Sequence, residues 1–490
     1  MNILSLLVII PLATLLLLLL GKGQKYVRGV VVGGFGLLLL SAVILAVLFL
    51  HERAVSDAAM LFVADTLWYA PLNIHYAVGV DGISVVMILL SAVVGFTGVF
   101  SAWNMNRDFF AWYCLLAIGV FGYFISLDLF TMFMFYEVAL IPMFLLIGVW
   151  GTGKKEYAAM KLTLMLMAGS ALLLTGILGI YFISGGTTMN IMELSQLHIP
   201  MTHQYWIFCL VFIGFGVLGA LFPFHTWSPD GHASAPTSVS MLHAGVLMKL
   251  GGYGCFRVAI FLMPEAAHEL SWIFLILTGI GVVYGAYGAV LQTDLKYINA
   301  YSSVSHCGLV LFAILMLNHT AMTGAVLQML SHGLMTALFF SLIGVIYSRT
   351  HTRDIREMGG LMRIMPFASV CYVIAGFASL GLPGLSGFVA EMTVFVGSFE
   401  HADMFHRVLT VLATTSIVIT AVYILRTVGK VLYGPVVNSD HLKLDDAHWY
   451  EKISAVALIA CIVIIGVWPS GVQGIIYDSL APVMKQLTLF

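Results

Sequence analysis

The chain has 490 residues, of which 61% are hydrophobic and 9% are charged, and its mean hydropathy is +1.03. Soluble domains are roughly 45–50% apolar and about 25% charged, so this composition excludes a soluble protein and predicts one that resides in a lipid bilayer. A net charge of −2 without any basic run excludes nucleic acid as a partner, because phosphate binding needs clustered Lys and Arg.

Apolar runs long enough to cross a bilayer recur from end to end, with no soluble domain between them. Cutting these runs at charges, Pro and Gly predicts an all-α, polytopic membrane protein of about 14 transmembrane helices. The predicted spans are 2–20, 27–50, 79–102, 109–127, 129–150, 157–184, 204–223, 237–261, 271–291, 297–317, 321–347, 365–400 with a break, 405–429 and 452–472.

The charges of the connectors predict the orientation, since Lys and Arg collect on the cytoplasmic side. With an outer N-terminus, the inner connectors hold most basic residues, Lys296 among them, while the outer ones keep only Arg53, Arg407 and Lys485. An even number of helices then places both termini outside.

Two predicted helices are interrupted, the seventh at 221–224 and the twelfth at 381–384. The twelfth comes five helices after the seventh, so the two run in opposite directions, as in an inverted repeat. We therefore expect N-terminal helices in 1–108, a first five-helix repeat in 109–261, a second in 271–433, and a last helix and tail in 452–490. The alternative is that Pro and Gly merely kink these helices.

Three charged residues lie deep inside predicted helices: Glu137 and Lys249 near the helix centres, and Glu391 seven residues after the second break. A charge at a helix centre costs about 2.5–3.5 kcal/mol on insertion scales, so such residues usually mark an ion path. Two histidines inside helices, His306 and His332, could relay protons between them, because an imidazole takes up and releases protons near neutral pH. The alternatives are a static Glu–Lys pair and hydrogen-bonded core histidines.

A second group of polar residues could be accessory to this path. His225, Asp230 and His232 are predicted at the inner mouth of the seventh helix, and His243 precedes Lys249 in the eighth. A metal site there is disfavoured, because a capping turn explains the Pro, Asp and Gly of this stretch equally well. Lys161 and Arg257 lie near helix ends, where both could snorkel to the surface.

No cofactor or metal site is predicted in this chain. Its six cysteines lie inside apolar stretches and never approach C-x-x-C spacing, which indicates neither disulfides nor an iron–sulfur or zinc site. A quinone-reducing enzyme in its own right is therefore the weakest reading.

Several motifs together resemble the M-type, antiporter-like subunits of bacterial NADH–quinone oxidoreductase, respiratory complex I. The resemblance covers the fourth to thirteenth helices, and the motifs that carry it are 135–144, 223–227, 229–230, 235–237, 245–254, 294–296, 300–306, 331–333 and 381–391. A glutamate at 391, rather than a lysine, favours the M type over the L and N types. D-type subunits of multisubunit cation/proton antiporters share most of these motifs and remain the alternative.

The resemblance implies a proton-translocating subunit without a redox centre in a bacterial inner membrane. Glu137, Lys249, His306, His332 and Glu391 would form its proton relay, L- and N-type subunits would be its neighbours, and FMN, iron–sulfur clusters and quinone would belong to other subunits. One position departs from the family, because Leu218 stands where a lysine usually faces the glutamate of the fifth helix. Lys161 or ordered water could substitute as the partner of Glu137.

Overall fold

A computed structural model describes residues 2–489, and within these residues twelve helices are long and apolar enough to cross a membrane. In chain order they are α1 (Ile3–Leu20), α2 (Gln24–Arg53), α3 (Gly82–Ser101), α4 (Arg107–Ile125), α5 (Leu129–Trp150), α6 (Lys155–Ile183), α7 (Met201–Leu218), α10 (Pro264–Leu291), α11 (Leu295–Leu315), α12 (His319–Thr350), α15 (Met404–Leu432) and α16 (Trp449–Val467). The predicted all-helical, polytopic membrane fold is confirmed.

The remaining helices are shorter or irregular. Helix α9 runs over 237–260 and contains two π-helical segments, His243–Leu247 and Cys255–Ile260. The others are α8 (Trp227–Ser234), α13 (Pro366–Ser379), α14 (Ser386–Phe399), α17 (Ser470–Ser479), α18 (Ala481–Leu487) and the single turns Ile191–Leu194 and Leu361–Ile364. The number of 14 membrane crossings, the inverted repeat and its domain boundaries stay predictions.

Both predicted interruptions are present. Helix α7 ends at Leu218 and α8 begins at Trp227, while α13 ends at Ser379 and α14 begins at Ser386. In the second break Gly381 and Gly384 have φ angles of +65° and +91°, which residues other than glycine rarely adopt. Unwound backbone at membrane depth is tolerated where protein buries it, which makes such breaks candidate ion sites.

Burial divides the helices into a central and a peripheral group. Almost all side chains of α11 and α12 are buried, whereas most side chains of α1, α2 and α16 are at least partly exposed. The peripheral helices are apolar all round, as expected for surfaces that face lipid or other membrane proteins. The core of the chain therefore lies around α11 and α12, where the predicted histidines are.

Before α3 lies a β-hairpin, which the apolar pattern of the sequence does not predict. Strand β1 (Leu61–Tyr69) pairs antiparallel with β2 (Ile74–Val80), with Thr66 opposite Tyr76. The last predicted span, 452–472, also ends earlier, at Val467. Helices α17 and α18 then fold back, and the Ser479 hydroxyl accepts a hydrogen bond of 2.9 Å from the Gly82 amide directly after the hairpin.

Candidate functional site

Lys249 lies in α9 between the two π-helical segments and is 1% exposed. Its Nζ donates to the carbonyl of Ala244 and to Nδ1 of His332 on α12, the latter over 2.7 Å. The helices meet here at glycines: a Cβ added to Gly245 would lie 3.1 Å from the Gly333 carbonyl oxygen, and one added to Gly333 would lie 2.6 Å from that of Gly245. Backbone contact thus brings Lys249 to His332.

His332 stacks on the second predicted histidine. The ring centroids of His306 and His332 are 5.2 Å apart and their planes differ by 28°. His306 is held from two sides, because Gln328 Nε2 lies 3.0 Å from its Nδ1 and the Ser379 hydroxyl lies 3.4 Å from its Nε2. Ser379 is the last residue of α13, so the second break reaches this imidazole.

Glu391 completes the series from the other side of that break. Its Oε1 lies 3.6 Å from His306 Nδ1, and its side chain is buried. The carboxylate lies against the break itself, since a Cβ added to Gly381 would lie 2.7 Å from Glu391 Oε2. Four side chains on four helices, Lys249, His332, His306 and Glu391, therefore form one buried series, here called the central series.

Two accessory histidines lie beside the lysine end of this series. The rings of His232 and His243 are 4.4 Å apart, and His232 Nε2 lies 3.3 Å from the Met248 sulfur. Both are buried, and neither ring nitrogen of His243 has a hydrogen-bond partner within residues 2–489. An imidazole with free nitrogens next to Lys249 can take up or pass on a proton.

The other accessory residues form a separate cluster nearer the surface. Lys161 and Asp230 form an ion pair of 2.7 Å, and the Tyr297 hydroxyl donates to Asp230 over 3.0 Å. His225 packs against the ring of Tyr284 at 4.9 Å and contacts no member of the central series. The idea that Lys161 takes the place of the missing lysine beside Glu137 is therefore wrong, because its carboxylate partner is Asp230.

Glu137 stands apart from the other four relay candidates. Within the described part of the chain it makes no ion pair, and its buried Oε1 has no hydrogen-bond partner. It is half-buried on the stripe of α5 that exposes Ile141 and Phe144, which follow it by about one and two turns. Leu218, at the end of α7, is completely buried.

Two basic residues were misplaced by the sequence analysis. Arg257 does not snorkel: it is buried and pairs with Asp81, the N-cap of α3, whose Oδ1 also accepts from the Ser84 amide at 2.9 Å. Lys296 is not a surface connector charge but is buried, and its Nζ donates to the carbonyl of Ala235 over 2.6 Å. The sequence contained one sign of the Arg257–Asp81 pair, because Asp81 is a carboxylate inside the predicted span 79–102.

Comparisons with known proteins identify the family of the chain. Residues 126–420 match the family model described as NADH:quinone oxidoreductase/Mrp antiporter, TM. The chain is 35% identical over 478 residues to NAD(P)H-quinone oxidoreductase chain 4 1 of Synechococcus sp. (strain JA-2-3B'a(2-13)), covering 95% of this chain and 89% of that one. It is 34% identical over 444 residues to NADH-quinone oxidoreductase subunit M of Rhodobacter capsulatus, covering 88% and 86%.

Solved structures give the same result. A chain of respiratory complex I from Thermus thermophilus with bound NADH superposes with a TM-score of 0.90 at 27% identity, over 99% of this chain and 100% of that chain. A chain of the Mrp complex from Dietzia sp. DQ12-45-1b superposes with a TM-score of 0.87 over 100% and 98%, but at 19% identity this likeness concerns the fold alone. The chain therefore belongs to the NADH:quinone oxidoreductase/Mrp antiporter transmembrane family, and the two relatives named above are a chain 4 and a subunit M protein.

Proposed function

We propose that the chain is the M-type, proton-translocating membrane subunit of a complex I-type NADH–quinone oxidoreductase, and that the central series is its proton path. The observation that carries this proposal is the succession of Lys249, His332, His306 and Glu391, each beside the next, through the buried centre of the bundle. A lysine and a carboxylate bound the series, and two imidazoles lie between them.

Protons pass along such a series because each group can hold or release one. Lys249 hands a proton to His332 through the existing hydrogen bond, and each imidazole accepts on one nitrogen while it releases from the other. The longer gaps, from His332 to His306 and from His306 to Glu391, close by ring rotation or through ordered water. The break beside Glu391 provides polar, non-helical backbone at membrane depth.

In this proposal the driving reaction takes place elsewhere in the assembly. FMN, iron–sulfur clusters and quinone belong to other subunits, and a charge that arises next to one end of the series changes the proton affinity of its members in turn. Moving one charge against 100 mV requires about 2.3 kcal/mol, which is within the range of such electrostatic couplings. The membrane is a bacterial inner membrane, with both termini of the chain outside.

The position of Glu137 supports the proposal that L- or N-type subunits are neighbours of this chain. A carboxylate at membrane depth without a cation is costly, and no cation within residues 2–489 forms an ion pair with Glu137. Because its stripe of α5 is the exposed one, we assign this face to a neighbouring antiporter-like subunit whose Lys or Arg pairs with Glu137. That contact would replace the pair that Leu218 removes.

The experiment that tests the function is a mild-detergent pull-down of the tagged chain, with its partners identified by mass spectrometry. We expect subunits with iron–sulfur and quinone sites, and a flavoprotein among them would identify NADH as the donor. A set of small hydrophobic partners without redox subunits would instead identify a D-type component of a cation/proton antiporter.

A further inference from the structure

A group of metal-ligating side chains lies outside the central series, where α14 is joined to α15. His401 and Asp403 are in the connection, and His406 is in the first turn of α15. One ligand atom from each of the three residues lies within 4.8 Å of the others. The two imidazole rings are stacked, with centroids 4.2 Å apart and planes 13° from parallel. Nothing in the proposed proton path uses these residues.

Each histidine already has the second contact that metal-binding histidines need. His401 Nε2 donates to the carbonyl of Met316 over 2.7 Å, which leaves the lone pair of its Nδ1 free. His406 Nδ1 donates to the two oxygens of Asp403 over 2.8 and 2.7 Å, which leaves the lone pair of its Nε2 free. In metal sites, a carbonyl or a carboxylate on the other ring nitrogen fixes the tautomer and the orientation of the ligand in this way.

Asp403 is itself held in place. Its Oδ2 accepts a hydrogen bond of 3.0 Å from the backbone amide of His406, as the N-cap of α15. The negative charge offsets the N-terminal dipole of α15, which otherwise disfavours a cation, and Glu400 adds a second carboxylate next to His401.

We propose that His401 and His406, supported by Asp403, bind a divalent transition-metal ion such as Zn²⁺. Neutral imidazole nitrogens suit Zn²⁺, Cu²⁺ and Ni²⁺, whereas Mg²⁺ and Ca²⁺ prefer oxygen ligands. The free nitrogens, Nδ1 of His401 and Nε2 of His406, would bind the ion at about 2.0–2.1 Å, and water would fill the remaining positions.

The position of this site gives metal binding a consequence. His401 is bonded to Met316, directly after α11, and the neighbouring Glu400 accepts a 2.6 Å hydrogen bond from Thr320 on α12. A bound ion would join His401, in the connection after α14, to His406 on α15. The hydrogen bonds of His401 and Glu400 would then link this site to the ends of α11 and α12, which carry His306 and His332. Resting on the proposed function, we expect Zn²⁺ to slow proton transport through the central series by restraining these helices.

Binding is tested first, on the purified full chain in detergent, by titrating Zn²⁺ in competition with a chromophoric chelator. We expect one site per chain whose affinity falls on the order of tenfold or more in His401→Ala and in His406→Ala. His198→Ala is the matched control, because this histidine is 68% exposed and its nearest carboxylate, of Glu265, is 3.9 Å away. The Zn²⁺ affinity of the His198→Ala variant should equal that of the unaltered chain.

Two further measurements make the result decisive. Cu²⁺ bound at the site should give an electron paramagnetic resonance spectrum with coupling to two imidazole nitrogens, and this coupling should disappear in the His401→Ala/His406→Ala double variant. Equal Zn²⁺ affinity in the double variant and the unaltered chain would overturn the site. If binding is lost but Zn²⁺ still slows transport in the double variant, the proposed restraint of the helices by the bound ion is wrong, while both the metal site and the proton path stand.

Discussion

Lys249 and His332 share one hydrogen bond across the contact between α9 and α12, with 2.7 Å between Nζ and Nδ1. If the lysine carries the proton, the histidine must accept at Nδ1 and is therefore neutral. If the proton passes to the histidine, the lysine becomes the acceptor. The pair thus holds its charge on one partner or the other, and its two states differ by one short proton movement.

The first prediction concerns Lys249. Lys249→Ala should abolish most proton pumping by the assembled complex, because it removes one end of the central series. Lys249→Arg should also fail, since a guanidinium keeps the charge but does not release its proton. Pumping is measured by dye quenching in membrane vesicles, alongside NADH–quinone reduction.

Lys430→Ala is the matched control for this prediction, because that lysine is exposed at the end of α15. Unchanged pumping by Lys249→Ala, in a complex of normal subunit composition, would exclude the central series as the proton path.

The second prediction concerns the glycine beside Glu391. Gly381→Ala should lower pumping strongly, because the new Cβ would lie 2.7 Å from Glu391 Oε2 and must displace the carboxylate. Gly384→Ala has a similar positive φ but meets nothing within 4 Å, so it isolates the backbone strain of about 1–2 kcal/mol. Equal pumping by the two variants would mean that strain, rather than the position of Glu391, explains the loss.

A third prediction is about stability. Asp81→Ala and Arg257→Ala should each destabilise the chain by about 3–5 kcal/mol, since either one leaves a buried charge without its partner. Thermal unfolding in detergent, followed by tryptophan fluorescence, measures the loss.

The exposed pair of Arg356 and Asp354 serves as the comparison for the buried one, and Arg356→Ala should leave the unfolding temperature nearly unchanged. A similar small effect of Arg257→Ala would show that water reaches the Asp81 site.

The fourth prediction is the pH dependence of Zn²⁺ binding. Protons compete with the metal for the free imidazole nitrogens, so the affinity for Zn²⁺ should fall as the pH is lowered. Titrations at pH 5.5 to 7.5 measure the change, and a pH-independent affinity would contradict imidazole ligands.

The fifth prediction concerns Glu137 and its neighbour. Glu137→Gln should reduce the recovery of L- or N-type subunits in the pull-down, because it removes the carboxylate that their cation would meet. Glu156→Gln, an exposed glutamate in the first turn of α6, should not. Recovery that is identical for the two variants would remove the docking assignment but leave the central series untouched.

The sequence indicated the helices, both breaks and the four residues of the central series, because each has a local signal. Apolar runs mark spans, Pro and Gly mark breaks, and a charge such as Lys249 inside a span is rare enough to stand out. Those signals also located Glu391, whose glycine-rich break precedes it directly in the chain.

The partners of these residues had no local signal. Asp81 and Arg257 are 176 positions apart, and only the packing of α3 against α9 makes them a pair. The same holds for Lys161 with Asp230, and for His401, whose tautomer depends on a carbonyl 85 positions away. The hairpin was missed because Leu61–Tyr69 lacks a regular alternation of apolar and polar residues.

The glycine contact between α9 and α12 limits where the proton path can be controlled. Because Gly245 and Gly333 bring the two backbones into direct contact, the distance from Lys249 to His332 cannot be shortened by closer packing of the helices. The helices cannot come closer, and separating them would break the packing of the most buried part of the chain. Conformational control of proton transfer in this protein therefore belongs at the broken helices, while the lysine–histidine pair passes protons at a fixed distance.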